Sequence, residues 1–161
     1  MLRPYTPEDL KLLQTWVTDA DMLFQFSGTD FSYPITLQQV EQYQQKHPGR
    51  RFYIANNETG EPVAFGEIIP QEAHIPRLGR LIVGDLGNRR KSIGSKFILE
   101  LIAECQRSFD AKYVELYVSG SNQVAIKCYE KLGFTFLPIE PFELEYGGAI
   151  HRIFKMRIEV K

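Results

Sequence analysis

The sequence predicts an α/β fold, a mixed sheet with helices on both faces, and three observations carry that expectation. Helix signals come first, a meander of strand signals follows, and the second half alternates strand and helix before a closing hairpin. From Ser92 to Phe109 apolar residues recur at helical spacing, with Phe97, Ile98, Leu101, Ile102, Cys105 and Phe109 in one stripe. The last segment, "HRIFKMRIEV", alternates with period two, setting Phe154, Met156, Ile158 and Val160 against Lys155, Arg157 and Glu159.

The elements follow in order. "TPEDLKLLQTWV" opens with Thr6 as N-cap, Pro7 at the first helical position and Asp9 at the capping-carboxylate position. Leu10, Leu13 and Val17 then share a face. A loop is expected next. "TLQQVEQYQQK" is a second helix, with Thr36 and Gln39 at capping-box spacing and "HPG" as its stop. "RFYIA" and "PVAFGEII" flank the turn formers "NNETGE", which is a hairpin signal. "RLGRLIV" is a third strand, running toward the helix that starts near Ser92. "YVELYV" is a strand, and "NQVAIKCYEKLG" is a helix closed by Gly133. "FTFLPI" and "HRIFKMRIEV" form the closing hairpin.

The 161 residues suit one domain, residues 1–161, with no repeat, low-complexity tract or linker dividing them. A net charge of -1 argues against a broad grip on nucleic acid, so any bound anion must meet a local patch. The chain shows no secretory signal and no apolar stretch of membrane-spanning length, so no membrane partner is expected. Cys105 and Cys128 are too few for a disulfide framework and match no metal-site spacing, so neither a metal nor an oxidising compartment is expected; the expected location is cytoplasmic. His47, His74 and His151 show no ligand spacing either.

The densest chemistry lies in "NRRKSIGSKF", residues 88–97. It falls at a strand-to-helix turn, where open α/β sheets place ligands. The first N–H groups of a helix lack intrahelical partners, and with the helix dipole they attract phosphate. Ser92, Gly94 and Ser95 are small enough for close approach, while Arg89, Arg90 and Lys91 add positive charge. A solvated charge run is the bland alternative. Cations at a helix N-terminus oppose the dipole, however, unless an anion joins them. Neither "GxxxxGK[ST]" nor "GxGxxG" is present, which disfavours other nucleotide-binding loops.

Two motifs together resemble the GNAT N-acetyltransferase family. Arg89, Arg90, Lys91, Ser92, Ile93 and Gly94 occupy the six places of its acetyl-CoA motif, Arg/Gln-x-x-Gly-x-Gly/Ala, with Ser92 where the family usually has its first glycine. Asn122, Ala125, Tyr129, Gly133 and Phe134 match the second motif, Asn-x-x-Ala-x-x-x-Tyr-x-x-x-Gly-Phe. The opening "LRPYTPEDLKLLQTWVTDAD" and the strand "LGRLIVGD" look closer to the branch of ribosomal-protein amino-terminal acetyltransferases.

The resemblance implies a GNAT-like fold with a central mixed sheet of about six to seven strands. It also implies that a primary amine, on a small molecule or a protein N-terminus, attacks acetyl-CoA directly in a ternary complex. Leu81, Ile82 and Val83 would offer backbone groups to the pantetheine, residues 89–95 would hold the phosphates, and Asn122 and Ala125 would support the cofactor from the second motif. Tyr129 would protonate the leaving thiolate. The resemblance places the acceptor near Trp16, Phe24, Phe26, Phe31 and Tyr33, some of which serve the core. Oligomeric state is open, a homodimer included.

For the base the residues leave two readings. Glu67 shares a strand face with Val63, Phe65 and Ile69, where a carboxylate needs a reason to be; it is either the base or the partner of Arg77 or Arg80. Glu115, between Tyr113 and Tyr117, is a second candidate, and an amine acceptor can also lose its proton through water. If no acid or base were functional, the chain would be a catalytically silent CoA-binding module.

Overall fold

The computed structural model describes residues 1–84 and 92–161. Its backbone divides into two compact units, Met1–Ile69 with Gly79–Leu101, and Pro70–Leu78 with Ile102–Lys161.

In the first unit, strand β1 (Leu2–Pro4) leads into a 3-10 turn (Pro7–Asp9) and helix α1 (Leu10–Trp16). The Asp9 carboxylate explains this start. It accepts from Thr6 N at 2.8 Å, as the capping box requires, and holds Arg3 at 2.8 and 2.9 Å. Helix α2 (Ala20–Ser27) follows where a loop was expected. Asp19 caps it, accepting from Met22 N at 2.8 Å, and Leu23 and Phe26 dive into the core. Eight residues are too short for periodicity to announce a helix, and tertiary burial stabilises it instead.

Helix α3 (Leu37–Lys46) starts at Thr36, whose hydroxyl accepts from Gln39 N at 3.3 Å. Gln39 does not close a capping box. Its side chain instead accepts from Ser32 N and donates to Ser32 O and Pro34 O, pinning the preceding loop. Strands β2 (Arg51–Asn56) and β3 (Pro62–Ile69) form the expected hairpin, with Asn57 Oδ1 accepting from Thr59 N and Glu61 N across the turn. The strand order is β1-β2-β3-β4, where β4 (Arg77–Val83) enters both units. Helix α4 (Ile93–Phe109) begins in this unit and packs tightly on β3; a Cβ on Gly66 would lie 2.8 Å from the Phe97 ring. Leu13, Ile35, Val40, Ile54 and Phe65 fill the core.

In the second unit β4 pairs in parallel with β5 (Tyr113–Ser119) through Arg77↔Glu115 and Leu78↔Leu116. Helix α5 (Gln123–Leu132) ends at Gly133, whose φ of 112° suits glycine. The closing sheet departs from expectation. Strand β6 covers only Thr135–Phe136, an unexpected β7 spans Phe142–Tyr146, and the long β8 (Ala149–Glu159) pairs with both as well as with β5. Pro138 lies inside the expected strand "FTFLPI" and ends its pairing early, since proline cannot donate to a ladder. Gly147 and Gly148, both at positive φ, make the β7–β8 turn. Across the chain the described residues hold eight strands, more than the six or seven expected.

Candidate active site

Ser92, Ile93 and Gly94, the second half of the expected acetyl-CoA motif, lie at the start of α4, and its first half, Arg89, Arg90 and Lys91, lies outside the described residues. Ser92 adopts φ 59°, the left-handed region. That geometry explains why the family favours glycine at this place, since a side chain there is strained by roughly 1–2 kcal/mol. Ser92 O accepts from Lys96 N at 3.2 Å, so the helix is under way at once and the N–H groups of residues 93–95 lie within its first turn. Among the described residues a Cβ on Gly94 would meet only Val83, at 3.7 Å. These features fit a phosphate-bearing ligand. Leu81, Ile82 and Val83 form the end of β4, with Ile82 buried and its two neighbours half-buried.

Glu67 sits in the same unit and is fully buried, its two oxygens both engaged. Oε1 accepts from Arg80 at 2.5 Å, and Oε2 accepts from the Tyr43 hydroxyl at 2.7 Å. Of the two sequence readings, pairing with Arg80 is therefore observed. Burial and the Glu67 charge push the Tyr43 phenol up to about 12, so it remains a donor, and Arg50 donates to its oxygen at 2.6 Å. Arg80 also pairs with Asp30, and its guanidinium lies 4.4 Å from the Tyr43 ring centre and 5.4 Å from that of Phe31. Its backbone has φ 48°, an unusual conformation inside a strand. Sequence reasoning missed Asp30 and Tyr43 as members of this cluster. Asp30 lies fifty residues from Arg80 and no local pattern links them.

Of the aromatic residues expected near the acceptor, Phe24, Phe26 and Phe31 are buried. Trp16 lies over Gly84, where a Cβ would sit 2.6 Å from its ring. Tyr33 is half-exposed and donates to Thr18 O at 2.9 Å.

In the second unit Asn122 is the N-cap of α5. Its Oδ1 accepts from Ala125 N at 3.2 Å, so motif residues Asn122 and Ala125 serve the helix start as a pair. One turn further on, Tyr129 packs against Phe134 with ring centres 5.8 Å apart. Among the described residues its hydroxyl has no hydrogen-bond partner. Burial of its surroundings pushes the phenol up to about 12, so it keeps its proton at neutral pH. The second base candidate, Glu115, is buried and accepts from Arg157 at 2.8 and 2.5 Å and from Gln71 at 3.0 Å, with Lys155 at 2.9 Å. Burial opposes its ionisation, but those partners outweigh it and hold the carboxyl below its ordinary range. Among the described residues no group of three or more His, Cys, Asp or Glu could hold a metal ion, and no helix is long and apolar enough to cross a membrane.

The model of the acetyltransferase (GNAT) family matches residues 16–134, from the last residue of α1 to the second residue after α5. The chain belongs to the GNAT family. Its fold is shared with solved acetyltransferases. Vibrio cholerae spermidine N-acetyltransferase, in complex with CoA and spermine, superposes with TM-score 0.80 at 15% identity, covering 99% of this chain and 94% of that one. Ribosomal-protein-alanine N-acetyltransferase from Brucella melitensis gives TM-score 0.76 at 18% identity, covering 99% of each. A UPF0039 protein of Schizosaccharomyces pombe is 28% identical over 81 residues, 50% of this GNAT chain. That match spans about half of the curated relative, 52% of its length.

Proposed function

We propose that this GNAT chain is an acetyl-CoA-dependent N-acetyltransferase acting in the cytoplasm, passing the acetyl group to a primary amine within a ternary complex. One observation carries the reading: a single family match runs through the start of α4 and the whole of the Asn122–Phe134 motif. Solved neighbours named for spermidine and for ribosomal-protein alanine both take amines, which supports the acceptor class without choosing a member.

Acetyl-CoA supplies an activated thioester. The backbone of Leu81, Ile82 and Val83 orients its pantetheine by strand addition. The N–H groups of Ile93, Gly94 and Ser95 bind phosphate with Ser92, and the Arg89, Arg90 and Lys91 charges attract it. Asn122 spends Oδ1 on the helix, which leaves its Nδ2 as the donor to the cofactor. Tyr129 holds a proton at Oη for the departing thiolate.

Glu67 would have to release a donor to act as base. We assign it to fixing Arg80 and Tyr43, with the amine proton passing to water, since an α-amine has a reference pKa of about 8. The engagement of Glu67 also favours a second reading, the silent CoA-binding module. Calorimetric binding of acetyl-CoA beside thiol release over a panel of amines separates the two. Binding with amine-dependent release supports the enzyme; binding without release on any amine supports the module.

A further inference from the structure

Arg80 is a buried cation whose two carboxylates differ in kind. Glu67 is fully buried and cannot exchange with anything from solvent. The Asp30 side chain is 53% exposed, at the start of the loop between α2 and α3. From Phe31 onward that loop is fixed, by burial of Phe31 and Ile35 and by the Gln39 side chain. Asp30 can therefore leave by turning its own side chain, with no movement of the loop. Its departure would open one edge of a guanidinium that is otherwise rigid, held by Glu67 and faced by the rings of Tyr43 and Phe31. Among the described residues the buried Arg80 Nε has no hydrogen-bond partner. The left-handed backbone of Arg80 adds to this, because strain of that kind is retained where the surroundings impose a particular side-chain position. Arg80 also stands immediately before Leu81 on β4.

We propose that Arg80 is a specificity-determining residue for the acceptor: an acceptor carboxylate takes the place of Asp30, so preferred substrates carry a carboxylate near the reacting amine. The exchange trades one anion for another and leaves the charge of the cluster unchanged. A polyamine would bring a cation instead, which Arg80 repels. The proposal rests on the acetyltransferase reading.

The test has two arms. In the first, Asp30→Ala, with Asp30→Asn as the second variant, is melted in sodium formate and in sodium chloride at equal ionic strength. Formate should restore part of the lost melting temperature in the variant and shift the intact protein less. Equal melting in both salts would overturn the proposal, and this arm needs no turnover. In the second, the intact protein is offered an α-amino acid beside its carboxamide, and a Glu-first peptide beside a Gln-first one. The free acid of one pair should show kcat/KM about tenfold to a hundredfold higher, the range for a charged hydrogen bond, and the pair that discriminates identifies the source of the carboxylate. Turnover of all four at equal rates would overturn Arg80 as determinant while leaving the enzyme reading intact. Failure to bind acetyl-CoA would sink that reading separately.

Discussion

Glu67 and Glu115 are both strand carboxylates, 0% and 3% exposed, and both pair with arginine, yet their settings differ. Glu115 is satisfied inside a regular ladder, where Arg157 is its register partner on β8 and Lys155 stands two residues away on the same face. Those cations also lie beside the Tyr113 and Tyr117 rings and remain partly open to solvent. Glu67 is satisfied by a residue at φ 48°, by a tyrosine from α3 and, through Arg80, by an aspartate on a loop. One carboxylate ties neighbouring strands together. The other holds a strained arginine in place. The same charge pair can thus tie a ladder together or fix a strained side chain, and the backbone conformation of the residue facing it tells them apart.

The largest expected break in this comparison is Glu67→Gln. It leaves Arg80 buried with only the half-exposed Asp30, and should cost about 3–5 kcal/mol in urea unfolding. A loss under 1 kcal/mol would show that Arg80 finds solvent easily. Glu115→Gln should cost less, about 1–3 kcal/mol, because Lys155 and Arg157 can turn outward to water. If the order of the two losses were reversed, the contrast between the clusters would not stand.

Acid sharpens the same contrast. Glu115 has a lowered folded pKa, as does Asp9, whose hydrogen bond from Arg3 is the leading cause. A depressed carboxyl contributes fully above its unfolded pKa, near 4, and that contribution is lost as pH falls through the folded value. The urea midpoint should therefore drop on acidification from about pH 5 to pH 3, and Glu115→Gln should drop less. Equal drops would remove Glu115 from the acid response. The smallest effect belongs to Ser92→Gly. Relief at φ 59° is partly offset by the freer unfolded chain, giving a gain of up to about 1 kcal/mol in the same assay. A loss would mean that the serine side chain holds the turn.

Much of this was legible in the sequence. The long stripe of α4, the β2–β3 hairpin and the α5 motif from Asn122 to Gly133 announce themselves through period and caps. Helix α2 did not, although Asp19 and Gly28 are a cap and a stop, because eight residues give periodicity too little to repeat. Strand β7 was hidden behind Pro141, even though "FELEY" alternates. The Glu67–Arg80 pair could be read from adjacent strands, while Asp30 and Tyr43 could not. Their place in the cluster depends on how α3 and the loop before it return to the sheet, which no local spacing encodes.

Tyr129, the protonated phenol on α5, is proposed to serve the departing thiolate, and acetyl transfer by Tyr129→Phe under saturating acetyl-CoA puts that role to the test. Loss of one hydroxyl should slow thiol release by about a hundredfold or more while calorimetric affinity for acetyl-CoA stays near that of the intact protein. Undiminished release by the phenylalanine variant would contradict the account.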